Sequence, residues 1–184
     1  MTWPFPGLWE HALTFDRFVA EAEPRHKDLW TNVYRLAVIP LWASERAAAL
    51  GQHCRLVALS EDWCGDAVNS VPLVAKLAAE SSGLELRILR RDEHPAVMDR
   101  YLTGGEARSI PVVVALTDAM QELGWWGPRP AELQAWVMAQ RAAGVNRLAL
   151  YPEIRRWYAK DRGASVLREV LALLERSNGS MKVS

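Results

Sequence analysis

The sequence predicts an α/β fold with one central sheet and helices on both of its faces. Three observations carry this. Three short apolar runs, 55–60, 84–89 and 110–116, each have turn-prone flanks, which marks buried strands. Helical patterns alternate with these runs, as in a layered α/β unit. Both ends of the 184-residue chain are helical in pattern, so a single domain with helical extensions accounts for the length. The expected boundaries are a helical N-terminal extension over 1–51, a core over 53–143 and C-terminal helices over 150–177 within one domain, 1–184.

Thr14 is a natural N-cap for a helix over Phe15–Glu23 that turns Phe15, Phe18 and Val19 to one side. Pro24 interrupts, and a helix over 26–38 follows with Leu29, Val33, Leu36 and Ala37 on its apolar face. Pro40 ends it, because the residue before a proline avoids the α region. An alanine-rich helix over 43–50 closes on Gly51. The first strand, Arg55–Ser60, leads into a helix running from Cys64 to about Glu80, with Val68, Val71, Val74, Ala75 and Ala78 on one face. Leu84–Leu89 is the second strand, and Pro95–Leu102 a short helix ended by Gly104-Gly105. Ile110–Leu116 is the third strand, and Gln121–Trp126 pairs back on it after a turn at Thr117-Asp118. Pro128 and Pro130 introduce a helix over 131–142, Pro152 opens another to Lys160, and Ser165 caps a last one. The polar tail Ser177–Ser184 is expected to be loose.

Composition narrows the function. A formal net charge of zero argues against a nucleic-acid partner, and no apolar run approaches the roughly 18 residues of a membrane span. The first thirty residues lack the basic start and apolar centre of a signal peptide, so a cytoplasmic setting is expected. Two cysteines, Cys54 and Cys64, exclude a disulfide scaffold. His11, His26, His53 and His94 are scattered without ligand spacing, so neither a metal site nor a cofactor is expected.

The chemistry concentrates at Trp63-Cys64-Gly65-Asp66-Ala67, between a buried strand and a helix. This turn resembles the active-site turn of thioredoxin-like proteins. Pro72 lies where that family kinks its active-site helix, Asp92 and Pro95 follow the next strand, and Ile110-Pro111 is similar to the family's cis-proline. Gly127 matches the glycine that lines the family's peptide groove. The resemblance covers about 53–143 and implies a mixed central sheet. With its helical flanks, the chain resembles a bacterial thioredoxin-like group that carries a Trp-Cys-Gly-Asp turn.

Two departures matter. The family's second cysteine is replaced by Ala67, so no internal thiol can resolve a mixed disulfide. The buried acid that the resemblance implies six residues before the first cysteine is Ala58. Cys54 cannot substitute. The strand between the two cysteines spans roughly 20 Å, whereas a disulfide needs Cα atoms within about 7 Å.

Cys64 is therefore the candidate catalytic residue. A helix N-terminus favours its thiolate, while Glu61, Asp62 and Asp66 disfavour it, and sequence alone does not sign the sum. Trp63, Gly65, Asp66, Ile110, Pro111, Gly127 and Arg129 are the expected substrate-binding residues. Arg129 is expected either to offset the acids or to bind an anionic thiol; the alternative is a solvated loop charge. The leading expectation is monothiol exchange through Cys64 with a protein or low-molecular-weight disulfide, released by an external thiol. The second is a non-redox binding module on a degenerate thioredoxin fold. Peroxide reduction is a weaker third, since only Arg129 and Arg108 offer themselves as donors.

Overall fold

A computed structural model describes residues 2–176; the tail expected to be loose lies outside the described residues. Strands β1 (Cys54–Ser60), β2 (Leu84–Arg90), β3 (Val112–Thr117) and β4 (Glu122–Trp126) form one sheet in the order β2-β1-β3-β4. β1 runs parallel to β2 and antiparallel to β3, and β3 runs antiparallel to β4, so the sheet is mixed. Central β1 is covered on both faces, and all of it except Arg55 is buried. Double coverage explains why it reads as a continuous apolar run instead of alternating. The register sets Leu59 of β1 beside Val112 of β3, so the loop leaving β1 emerges next to Pro111.

Helix α5 (Gly65–Ala79) packs on one face, with α9 (Ala164–Leu174) beside it over β3 and β4. Eleven of the fifteen α5 residues are buried, which identifies it as an interior helix. Pro72 lies inside it, removing one main-chain hydrogen bond without ending the helix. Helices α3 (Pro24–Leu36) and α4 (Leu41–Ala48) pack behind α5 and α9.

The opposite face is crossed by residues 2–13, which run from one side of the sheet to the other. Trp3 N–H donates to the Met120 carbonyl (2.8 Å), and Leu13 exchanges two main-chain hydrogen bonds with Ile88 on the edge of β2 (both 2.8 Å). That crossing includes one-turn helix α1 (Leu8–His11) and buries Trp3 and Trp9. Trp9 lies against the guanidinium groups of Arg55 and Arg87, and the Trp3 indole donates to the Tyr101 hydroxyl.

Several local expectations are corrected. Helix α2 (Phe15–Ala20) has its Thr14 cap, which accepts from Arg17 N–H, but stops before Glu21. Pro24 is the first residue of α3, where its missing N–H costs nothing. The buried residue of α3 is Trp30, whose indole donates to the Asp62 carbonyl (2.8 Å) and whose ring meets Phe18; Leu29 and Leu36 are exposed. After a 3-10 turn (Arg91–Glu93), α6 (Pro95–Met98) is one turn only, and Tyr101 tucks into the core beyond it.

Helix α7 (Ala131–Ala142) pairs with α8 (Arg147–Asp161) around a small core of Leu133, Val137, Leu150, Ile154 and Tyr158. The Asn146 side chain caps α8 by accepting from Leu148 N–H, so Pro152 falls in its second turn instead of opening it. Gly163, not Ser165, is the N-cap of α9; Ser165 bonds to the Asp161 carboxylate from the first turn.

Candidate active site

Cys64 is the N-cap residue of α5, immediately after the loop from β1. It is 8% exposed, and its thiol donates to the Ile110 carbonyl at 3.4 Å. The Ile110–Pro111 peptide bond is cis. Burial pushes the Cys64 thiol up, and the Asp66 carboxylate adds to this; the N–H groups of Ala67 and Asp66 and the Arg129 guanidinium pull it down without prevailing. At rest the group is thus a neutral thiol, the form that can donate to a carbonyl.

Of the three acids near Cys64 in sequence, two turn elsewhere. Glu61 accepts from Asp92 N–H (2.8 Å), and burial pushes its carboxyl up. Asp62 accepts from Glu23 N–H (2.7 Å) and lies 3.2 Å from His26 Nδ1. Burial acts upward on the Asp62 carboxyl, but these partners together hold it below its ordinary value. Both acids therefore tie the loop to its surroundings.

Asp66 faces the site, with Arg129 forked across its carboxylate: Nε to Oδ1 at 2.9 Å and Nη2 to Oδ2 at 2.5 Å. The Tyr158 hydroxyl donates to the same Oδ1 (3.3 Å), and Arg129 Nη1 donates to the Gln134 side chain (2.9 Å). Burial pushes the Asp66 carboxyl up against the opposing pull of Arg129 and Tyr158. Burial and the Asp66 charge push the Tyr158 hydroxyl far up, so it remains a donor. With the carboxylate occupied this way, the first N–H groups of α5 are left to the sulfur.

Above the thiol is a cavity of about 250 Å³. Trp63, Cys64, Asp66, Ile110 and Arg129 line it, so five of the expected residues meet there. Gly65, Pro111 and Gly127 do not line it. Gly127, at φ +136°, presses on the Pro111 main chain, and a Cβ there would lie 2.1 Å from the Pro111 oxygen. Trp63 is half exposed, with Arg91 over its ring. Trp125 and Trp126, on the strand that leads into Gly127, do not line the cavity: the first meets Tyr101, and the second donates to Glu169 (2.6 Å).

Arg91, Arg108 and Ser109 add to the wall, and the α7–α8 pair supplies the remainder, including Val137, Arg141, Arg147 and Ile154. Sequence reading missed these residues, since helical periodicity locates α7 and α8 but not where they dock. Cys54 is buried at the far end of β1, where burial first and the Asp118 charge second push its thiol up. Among the described residues no cluster of three or more His, Cys, Asp or Glu side chains is arranged to hold a metal. No helix among them is long and apolar enough to cross a membrane.

A central mixed sheet, a cysteine capping the first core helix and a facing cis-prolyl bond define a thioredoxin-fold protein. A family profile described as thioredoxin matches residues 12–143, and the chain belongs to that family. The match begins well before the expected core, so α2, α3 and α4 fall within the family's span. Among solved structures, a protein of unknown function from Pseudomonas aeruginosa is similar, with a TM-score of 0.75 and 19% identity over 94% of this chain and 98% of that one. An HIV epitope scaffold is also similar, with a TM-score of 0.72 and 18% identity over 93% of this chain and 97% of that one. At such identities the likeness concerns the fold alone. No curated protein matches the chain.

Proposed function

We propose that this protein carries out monothiol exchange: Cys64 forms a mixed disulfide that an external thiol later releases. The observation that carries the reading is a single thiol at the floor of a cavity, with Ala67 where a resolving cysteine would stand. In the first step Cys64 sulfur bonds to one sulfur of a disulfide R–S–S–R. The S–S bond breaks, the departing sulfur takes the electron pair, and the Cys64 proton ends on it through solvent. In the second step a free thiolate attacks the adduct, restores Cys64 and leaves as the new disulfide. Cytoplasmic small thiols, kept reduced, are suitable resolvers, and the partner is a protein or low-molecular-weight disulfide or thiol. The reading requires no cofactor.

A raised thiol pKa slows this chemistry without stopping it. Each unit upward lowers the thiolate fraction about tenfold, but intrinsic nucleophilicity rises about threefold, a net loss of about threefold. The same property makes Cys64 a poor leaving group, so its adduct persists. A second reading, a non-redox binding module, is favoured by the hydrogen bond from the neutral thiol to Ile110. Partner capture by Cys64→Ser separates them: exchange predicts that covalent capture disappears, whereas undiminished capture overturns it in favour of the module.

A further inference from the structure

The cavity above Cys64 has five arginines on its wall, Arg91, Arg108, Arg129, Arg141 and Arg147, against one carboxylate, Asp66. Their charges are not equally committed. Arg129 is spent on Asp66, Arg108 is forked on Asp99 (2.7 and 2.8 Å), and Arg91 pairs with Asp92 (2.7 Å). Neither Arg141 nor Arg147 forms a salt bridge among the described residues; Arg147 lies over the Tyr151 ring, and its charge acts on Asp66 without a direct bond. Two guanidinium groups from different helices, α7 and α8, thus border one concavity with their donors unclaimed by acids. Guanidinium forks match planar anions, and a concave wall of one sign concentrates the opposite charge.

We propose that this cavity selects an anionic small-molecule disulfide or thiol, its carboxylates held by Arg141 and Arg147 while its sulfur reaches Cys64. The volume of about 250 Å³ is below the roughly 300 Å³ at which drug-sized pockets begin, which suits a ligand of amino-acid to small-peptide size. The reactive half of this inference rests on the exchange reading above; the binding half does not. Arg91, over Trp63 at the mouth, adds to the field that draws an anion in.

Three disulfides of similar length test the charge rule: dithiodipropionate (anionic), hydroxyethyl disulfide (neutral) and cystamine (cationic). Rates of Cys64 adduct formation are read by intact mass, each divided by its rate on the urea-unfolded chain to remove intrinsic reactivity. The expected order is anionic, neutral, cationic, with the first about tenfold ahead of the second at low salt. In an Arg141→Ala/Arg147→Ala double variant, whose sites are both exposed, the anion's advantage collapses toward that of the unfolded chain. Equal normalised rates for all three disulfides overturn the inference while leaving exchange intact. Calorimetry of the unreactive thioether thiodipropionate on Cys64→Ser reads binding separately. Binding that weakens about tenfold in the arginine double variant supports the anion site even where no disulfide reacts, and binding indifferent to both arginines overturns it.

Discussion

Replacing Gly127 with alanine sets a methyl group against main chain on the far side of the thiol site. The added Cβ would lie 2.1 Å from the Pro111 oxygen, 3.1 Å from its carbonyl carbon and 3.2 Å from Val112 Cα. An ordinary carbon–oxygen contact is about 3.3 Å, so the segments must part by about 1 Å. Neither is a side chain that can swing away. An L residue at φ +136° adds about 1–3 kcal/mol of backbone strain, and overpacking adds about 1–3 kcal/mol more. We expect a loss of about 4 kcal/mol, a large part of the roughly 5–15 kcal/mol available to a domain. Urea unfolding followed by tryptophan fluorescence measures it as a lower midpoint with an unchanged slope. Gly104→Ala is the control: its φ is +63°, but nothing lies within 4 Å of the added methyl, so about 1 kcal/mol is expected. Displacing Pro111 also moves the Ile110 carbonyl from the thiol, and Cys64 alkylation should quicken. A Gly127→Ala loss within about 1 kcal/mol of the control refutes the claim that this contact holds the site together.

Ala67→Cys restores a dithiol across the first turn of α5. Mild oxidation should close a disulfide that removes the thiols at 64 and 67, and the same variant supplied with dithiothreitol as reductant should gain insulin-reducing activity; free thiols persisting at both 64 and 67 after oxidation would show that the turn has another geometry. Stability should fall on the alkaline side. Burial raises both cysteines, so above about pH 8.5 the unfolded chain releases thiol protons that the native one retains. Their contribution is complete below that pH and is lost as pH rises through the native values; a urea midpoint that holds or increases from pH 8 to 10 contradicts this. Asp62→Ala leaves Glu23 N–H without its acceptor and should cost about 1–3 kcal/mol. Because the native Asp62 carboxyl is lowered, its contribution is present at neutral pH and fades as pH falls through its native value. The variant should therefore lose less stability than wild type below about pH 4.

The core was legible because its signals are local. Arg55–Ser60 is apolar for the same reason that it is central, and Thr14 caps a helix through its own side chain. The Trp63–Asp66 turn carried the thiol and Asp66, and Arg129 followed from its place after Gly127-Pro128. What depends on docking was hidden. Leu29 and Leu36 fit an apolar stripe, yet Trp30 is buried because the Asp62 carbonyl and Phe18 await it. Glu61 and Asp62 read as charges against the thiolate, but the Asp92 and Glu23 N–H groups draw them away. The arginines of α7 and α8 reach the site through the docking of those helices, in which Tyr158 bonds to Asp66 across 92 residues of sequence.

Monothiol exchange requires that Cys64, alone of the two cysteines, react in the native protein. Peptide mass mapping after brief exposure to a low-molecular-weight disulfide, with and without denaturant, tests it directly. A single adduct on Cys64 is expected in the native protein, none on buried Cys54, and adducts on both once the chain is unfolded. A native protein in which Cys64 stays unmodified while the unfolded chain takes up two adducts contradicts it.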